Sequence, residues 1–135
     1  MTEYVLDTDT FIYLLKHDAR VEASLRTVGD GVVALSVVTV AEVLHGAYYS
    51  ADPANSLRET QALIKRFTVI PLDEMIADTF GQIKTNLRRS GQILADFDVL
   101  SGATAIASGR TLVSNNMQHF RRLQPLGLTL INWKS

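Results

Sequence analysis

The chain has 135 residues, 47% of them hydrophobic and 20% charged, a balance that suits one globular domain over 1–135 and argues against disorder. It contains no cysteine, which excludes disulfides and thiolate metal sites and fits a reducing, cytoplasmic compartment. A formal net charge of −1 gives no global attraction for nucleic acid, so any such role must depend on a local basic patch or a bound cation.

The chain opens without the basic and apolar regions of a secretory signal. A first strand is predicted at 3–6 (EYVL), and it runs straight into Asp7 and, two residues on, Asp9. A carboxylate at that position can be a nucleophile, a metal ligand or a cap for the helix that follows. Helices are predicted at about 10–16 and 19–28. The "GDGVVA" segment at 29–34 imitates a dinucleotide-binding fingerprint but precedes a strand, so it reads as a turn.

The second strand, 32–35 (VVAL), exits at Ser36 into a helix over 37–49. In that helix Val37, Val40, Ala41, Leu44 and Tyr48 make the expected core stripe, and Glu42 sits off it. The apolar-rich run from Val32 to Leu44 is broken by Ser36, Thr39 and Glu42 and falls short of the roughly 18 residues of a membrane span, so no membrane role is expected. A helix at 54–67 and a strand at 68–70 follow, with Pro53 and Pro71 as local punctuation and not as domain boundaries.

Over 73–89, Ile76, Phe80, Ile83 and Leu87 recur on one helical face, and Lys84, Arg88 and Arg89 form a basic cluster at its end. Asp96 and Asp98 precede a small-residue helix at 98–107 that suits close packing on a sheet. They can share one site only if the helix begins at about Asp98, because i and i+2 point the same way in extended chain and not in a helix. Strands at 111–113, followed by "SNN" (114–116), and at 128–131 complete the chain. Short, uniformly apolar strands alternating with helices predict an α/β fold with a mainly parallel central sheet. Sites in such sheets form beyond the carboxyl ends of the strands, where Asp7, Ser36 and "SNN" lie.

The "LDTDT" pattern resembles the first motif of the haloacid dehalogenase superfamily, which would make Asp7 a phosphate-ester nucleophile. However, "TFIYLLKHD" reads as helix where that family builds a tight turn and flap, and no late Gly-Asp-x-x-x-Asp follows. Four or five carboxylates at the mouths of buried elements would repel one another, and a hard divalent cation relieves that. None of the histidines, His17, His45 and His119, forms a His-x-x-x-His pair.

Taken in order, "YVLDTDTFIYLL", "SVVTVAEVLHG", "DVLSGATAIASGRTLVSNNMQHF" and "LTLINW" resemble the successive motifs of PIN-domain ribonucleases, in the order and spacing of VapC toxins from bacterial toxin–antitoxin pairs. The resemblance implies a three-layer α/β/α sandwich and a Mg²⁺- or Mn²⁺-dependent endoribonuclease that cleaves structured RNA such as tRNA or rRNA. It further implies a cognate antitoxin protein and a homodimer. Asp7, Glu42 and Asp98 match the family's acidic metal-holding triad, Asp96 an additional acidic position, and Asn116 the polar residue that completes the site. Two departures stand out: Asp9 where asparagine is commoner, and His119 where many relatives carry an acid. Arg121 and Arg122, after the Asn116 loop, are expected to contact RNA phosphates. A PIN-like binding module without turnover is the other reading.

Overall fold

The computed structural model describes residues 1–135. Five strands, β1 (Tyr4–Leu6), β2 (Val33–Ser36), β3 (Thr68–Ile70), β4 (Thr111–Val113) and β5 (Leu130–Ile131), form one sheet in the order β3-β2-β1-β4-β5. Every pairing is parallel. The chain moves outward from β1 in one direction, then returns to the other side of β1 for β4, so the strand order reverses at β1.

Period-two alternation splits the short strands between two cores. Leu6, Val33, Leu35 and Val113 face one side, where α1 (Thr8–Leu15), α2 (Ala19–Val28), α3 (Val37–Tyr48) and α4 (Pro53–Ile64) bury Phe11, Leu14, Val21, Leu25, Val43 and Leu63. Val5 and Leu112 face the other, where α5 (Glu74–Arg89), α6 (Asp96–Ser108), α7 (Met117–Phe120) and the 3-10 turn Arg121–Leu126 contribute Ile76, Ile83, Leu87, Val99, Phe120 and Leu123. The result is the expected three-layer α/β/α sandwich. Each fully buried large apolar side chain adds roughly 1.5–3 kcal/mol.

Four local expectations change. α1 begins at Thr8, directly after Asp7, which leaves no room for the tight turn and flap of the dehalogenase-like motif. α4 ends at Ile64, and Lys65, Arg66 and Phe67 form a turn into β3. α6 begins at Asp96, two residues early, with Ala95 at its N-cap. In α3 the core stripe is Val38, Thr39, Val43 and Ala47, whereas Val37 and Tyr48 are 39% and 64% exposed. The phase of α3 is set by its junction with β2: the Ser36 hydroxyl, at the strand end, accepts from the Val38 N–H at 3.0 Å. With apolar residues nearly all round the helix, periodicity alone does not identify the buried face.

Candidate active site

β1, the central strand, delivers Asp7 to the carboxyl edge of the sheet. The Asp7 N–H donates to the Val113 carbonyl of β4 at 2.9 Å, so ladder pairing fixes the residue's backbone. Asp7 occupies the N-cap position of α1, but its side chain makes no cap hydrogen bond. It is only 6% exposed and instead accepts from the Ser114 hydroxyl at 2.9 Å.

Ser114, at the end of β4 and fully buried, is the hinge of the polar network. Its oxygen also accepts from the Asn116 N–H at 3.0 Å and lies 3.4 Å from an Asp9 oxygen. That same Asp9 oxygen accepts from the Asn115 N–H at 3.0 Å. Asn115 is braced in turn by Tyr13 and Asn132. Thr10 reaches back from α1 to the Val113 carbonyl at 3.1 Å.

Burial, and then the neighbouring Asp9 charge, push the Asp7 carboxyl up from 3.8 to about 7, with a smaller push from Asp98. The hydrogen bonds from Ser114 and the Thr8 backbone oppose that shift without cancelling it. Asp9 is also raised, chiefly by burial, against the Asn115 N–H and the Thr10 hydroxyl. A buried carboxylate with a like charge beside it and no cation is an expensive arrangement.

Glu42 reaches the same edge from α3. It lies a turn beyond Val38 and Thr39, at the border of the buried face, and the Thr8 hydroxyl donates to its Oε1 at 2.7 Å. Asp98 is in the first turn of α6, with its carboxylate 3.7 Å from Nδ1 of His119. The Asn116 side-chain amide lies 2.8 Å from that same ring nitrogen. His119, one of the departures from the family pattern, therefore lies between Asp98 and the Asn116 loop.

Asp7, Asp9, Glu42, Asp98 and Asn116 thus gather beyond the carboxyl ends of β1, β2 and β4. Asp96 does not join them. With α6 already helical at Asp96, its side chain turns some 200° away from that of Asp98. It pairs with Lys84 at 2.8 Å and is 58% exposed. The condition for Asp96 and Asp98 to share a site is not met, and Asp96 lies outside the acid cluster, contrary to the expected auxiliary role. Arg122 is partly engaged, donating to the Ile93 carbonyl at 3.1 Å, while Arg121 is exposed and forms no ion pair.

No Lys or Arg forms an ion pair with Asp7, Asp9, Glu42 or Asp98. Their donors are all hard oxygens, the type Mg²⁺ and Mn²⁺ take. As they stand, no three acidic or histidine side chains converge closely enough to enclose an ion. The donor chemistry and the uncompensated burial of Asp7 nevertheless fit such a cation. Ser114, Thr8 and Thr10 are the functional groups that sequence reasoning missed. Only the polar "SNN" strand exit signalled the first of them.

Residues 4–124 match the PIN domain family. Over 133 residues the chain is 32% identical to Ribonuclease VapC2 of Haemophilus influenzae, covering 98% of this chain and 99% of that protein. It is 29% identical over 133 residues to the tRNA(fMet)-specific endonuclease VapC of Shigella flexneri, again covering 98% and 99%. In three dimensions it is similar to a chain of the DNA-bound VapBC crystal structure from Salmonella typhimurium, with a TM-score of 0.91 at 27% identity, covering 98% of this chain and 99% of that one.

Proposed function

The chain belongs to the PIN domain family, and from that premise we propose that it is a divalent-metal-dependent endoribonuclease, the toxin of a toxin–antitoxin pair. The observation that carries this reading is the buried Asp7 carboxyl, raised to about 7 by burial, Asp9 and Asp98 and lacking any cationic partner, with Glu42 held by the neighbouring Thr8 hydroxyl. Asp7, Glu42 and Asp98 are the residues that would hold Mg²⁺ or Mn²⁺. Such a cation supplies Lewis acidity: it makes water a stronger nucleophile at neutral pH and offsets charge building on a phosphodiester.

The chain's own groups do the rest. Ser114 fixes the Asp7 carboxylate, and Thr8 fixes that of Glu42. Asn116 presents an amide at the exposed mouth of the site, suited to a phosphate oxygen. Arg121 meets a flanking phosphate. The substrate is structured RNA, with tRNA favoured by the tRNA(fMet)-specific relative. A cognate antitoxin and a second copy of the chain are its protein partners, in the cytoplasm. No helix is long and apolar enough to cross a membrane.

The test incubates the protein and its Asp98→Asn variant with folded total tRNA in Mg²⁺, Mn²⁺ or EDTA. Discrete fragments from the wild type, absent in EDTA and reduced at least about 100-fold in the variant, are expected. Equal cleavage by both proteins removes Asp98 from the site. Metal binding without cleavage of any RNA supports the binding-module reading instead.

A further inference from the structure

A cavity of about 630 Å³ lies beside the acid cluster and not in it. It opens between the end of α5, the loop 90–95 and the first turn of α6. Leu87, Leu94 and Val99 form an apolar wall, and Lys84, Arg88 and Asp96 a polar one. Its volume falls in the range of roughly 300–1,000 Å³ typical of small-molecule sites. Asp96 and Asp98 share one helical turn but point to opposite sides of it, so the cavity and the proposed cleavage site flank the same N-terminus of α6. The Arg122 bond to the Ile93 carbonyl ties the cavity's loop to the segment that follows Asn116. Phe97, between the two aspartates, is 49% exposed.

The polar wall has a definite hydrogen-bonding sense. Asp96 accepts from Lys84 through Oδ1 at 2.8 Å and keeps free lone pairs on both oxygens. A carboxylate of this kind takes two adjacent N–H donors. Guanine presents such a pair, N1–H beside its exocyclic amine. In adenine and cytosine the amine adjoins an acceptor, and in uracil the single N–H lies between two acceptors. Lys84 and Arg88 are donors suited to guanine O6 and N7, and Arg88 has no carboxylate partner. Leu87, Leu94 and Val99 suit the flat face of the heterocycle.

We propose that this cavity binds a guanine base, splayed out of the RNA substrate next to the nucleotide being cut. Recognition of unstacked bases along their Watson–Crick edge is the usual route to sequence preference in RNA. The RNA context rests on the ribonuclease reading above, whereas the guanine preference follows from the cavity's own chemistry.

The two are separated by using guanosine 5′-monophosphate as a probe on metal-free protein, where no cleavage occurs. Methyl resonances of Leu87, Leu94 and Val99 are followed by NMR during titration. Saturable shifts are expected with the guanine nucleotide, and adenosine 5′-monophosphate should need at least about 10-fold more for the same effect. The exposed Asp96→Asn substitution should abolish that preference. Absent shifts, equal response to both nucleotides, or an unchanged preference in Asp96→Asn would each overturn the proposal. With any RNA the wild type cuts, Arg88→Ala should raise KM several-fold while kcat is retained, and efficient cutting at sites with no nearby guanine overturns it. Guanine binding without cleavage of any RNA refutes the ribonuclease reading and leaves the guanine site standing.

Discussion

At the scale of single residues the Asp7 carboxyl has the largest consequences. Its value is raised from 3.8 to about 7 in the folded chain, so between those limits the folded state holds a proton that the unfolded state has released. Stability contributed by this group is full below pH 3.8 and falls as pH rises through about 7. In EDTA the protein should lose about 4 kcal/mol across that window, of which about 3 kcal/mol is read as a fall in the urea midpoint between about pH 5 and about pH 7.5. Mn²⁺ should flatten the slope, because a bound cation favours the carboxylate in the folded state. Asp18 has the opposite sign, since Lys134 lowers it, but that contribution is lost only at pH values below the Asp7 window. Ser114→Ala removes the donor to Asp7 and the acceptor for the Asn116 N–H in a fully buried position. It should cost about 1–3 kcal/mol of stability and steepen the pH dependence. An unchanged slope in Ser114→Ala would mean that another group titrates.

At the scale of elements, close packing tells two glycines apart. A Cβ on Gly102 of α6 would overlap a methyl of the Leu123 side chain, which is fully buried and would have to shift into packed surroundings. Gly102→Ala should therefore destabilise by about 1–3 kcal/mol. Gly81 of α5 has open space around its missing Cβ, and Gly81→Ala should stabilise by about 0.5–1 kcal/mol through helix propensity. Thermal melts of the two variants separate these outcomes by sign. The element pattern was largely legible in the sequence, because runs such as Tyr4–Leu6 and Thr111–Val113 are short, apolar and regularly spaced. What was not legible has tertiary causes. The face of α3 depends on the β2 junction, the start of α6 moved Asp96 to the far side of its helix, and the four-residue α7 is too short to show a period. The acids were visible as acids at strand ends. Thr8, Thr10 and Ser114 were not, because a hydroxyl acquires its role only from what the fold sets beside it.

At the scale of the whole molecule, a net charge of −1 and an acidic site leave little long-range attraction for a polyanion. RNA affinity should therefore fall only gently with salt, with a log–log slope between about −1 and −3. Arg121→Ala should make that slope shallower by about 0.7, as read by fluorescence anisotropy in EDTA. A steep slope in the wild type would point to a basic surface beyond Arg121 and the cavity rim. The sheet order carries a further consequence, for timing. β1 is made before its neighbours β2 and β4 yet lies between them, and one of its edges is covered only when residues 111–113 arrive. Those residues also bring Ser114 and Asn116. As the chain leaves the ribosome, the first acid of the site emerges 107 residues before Ser114, whose hydroxyl holds that acid in place. A chain interrupted before β4 carries Asp7, Glu42 and Asp98 but lacks the Val113 carbonyl and the Ser114 hydroxyl that hold Asp7, so partial products of synthesis lack the assembled site.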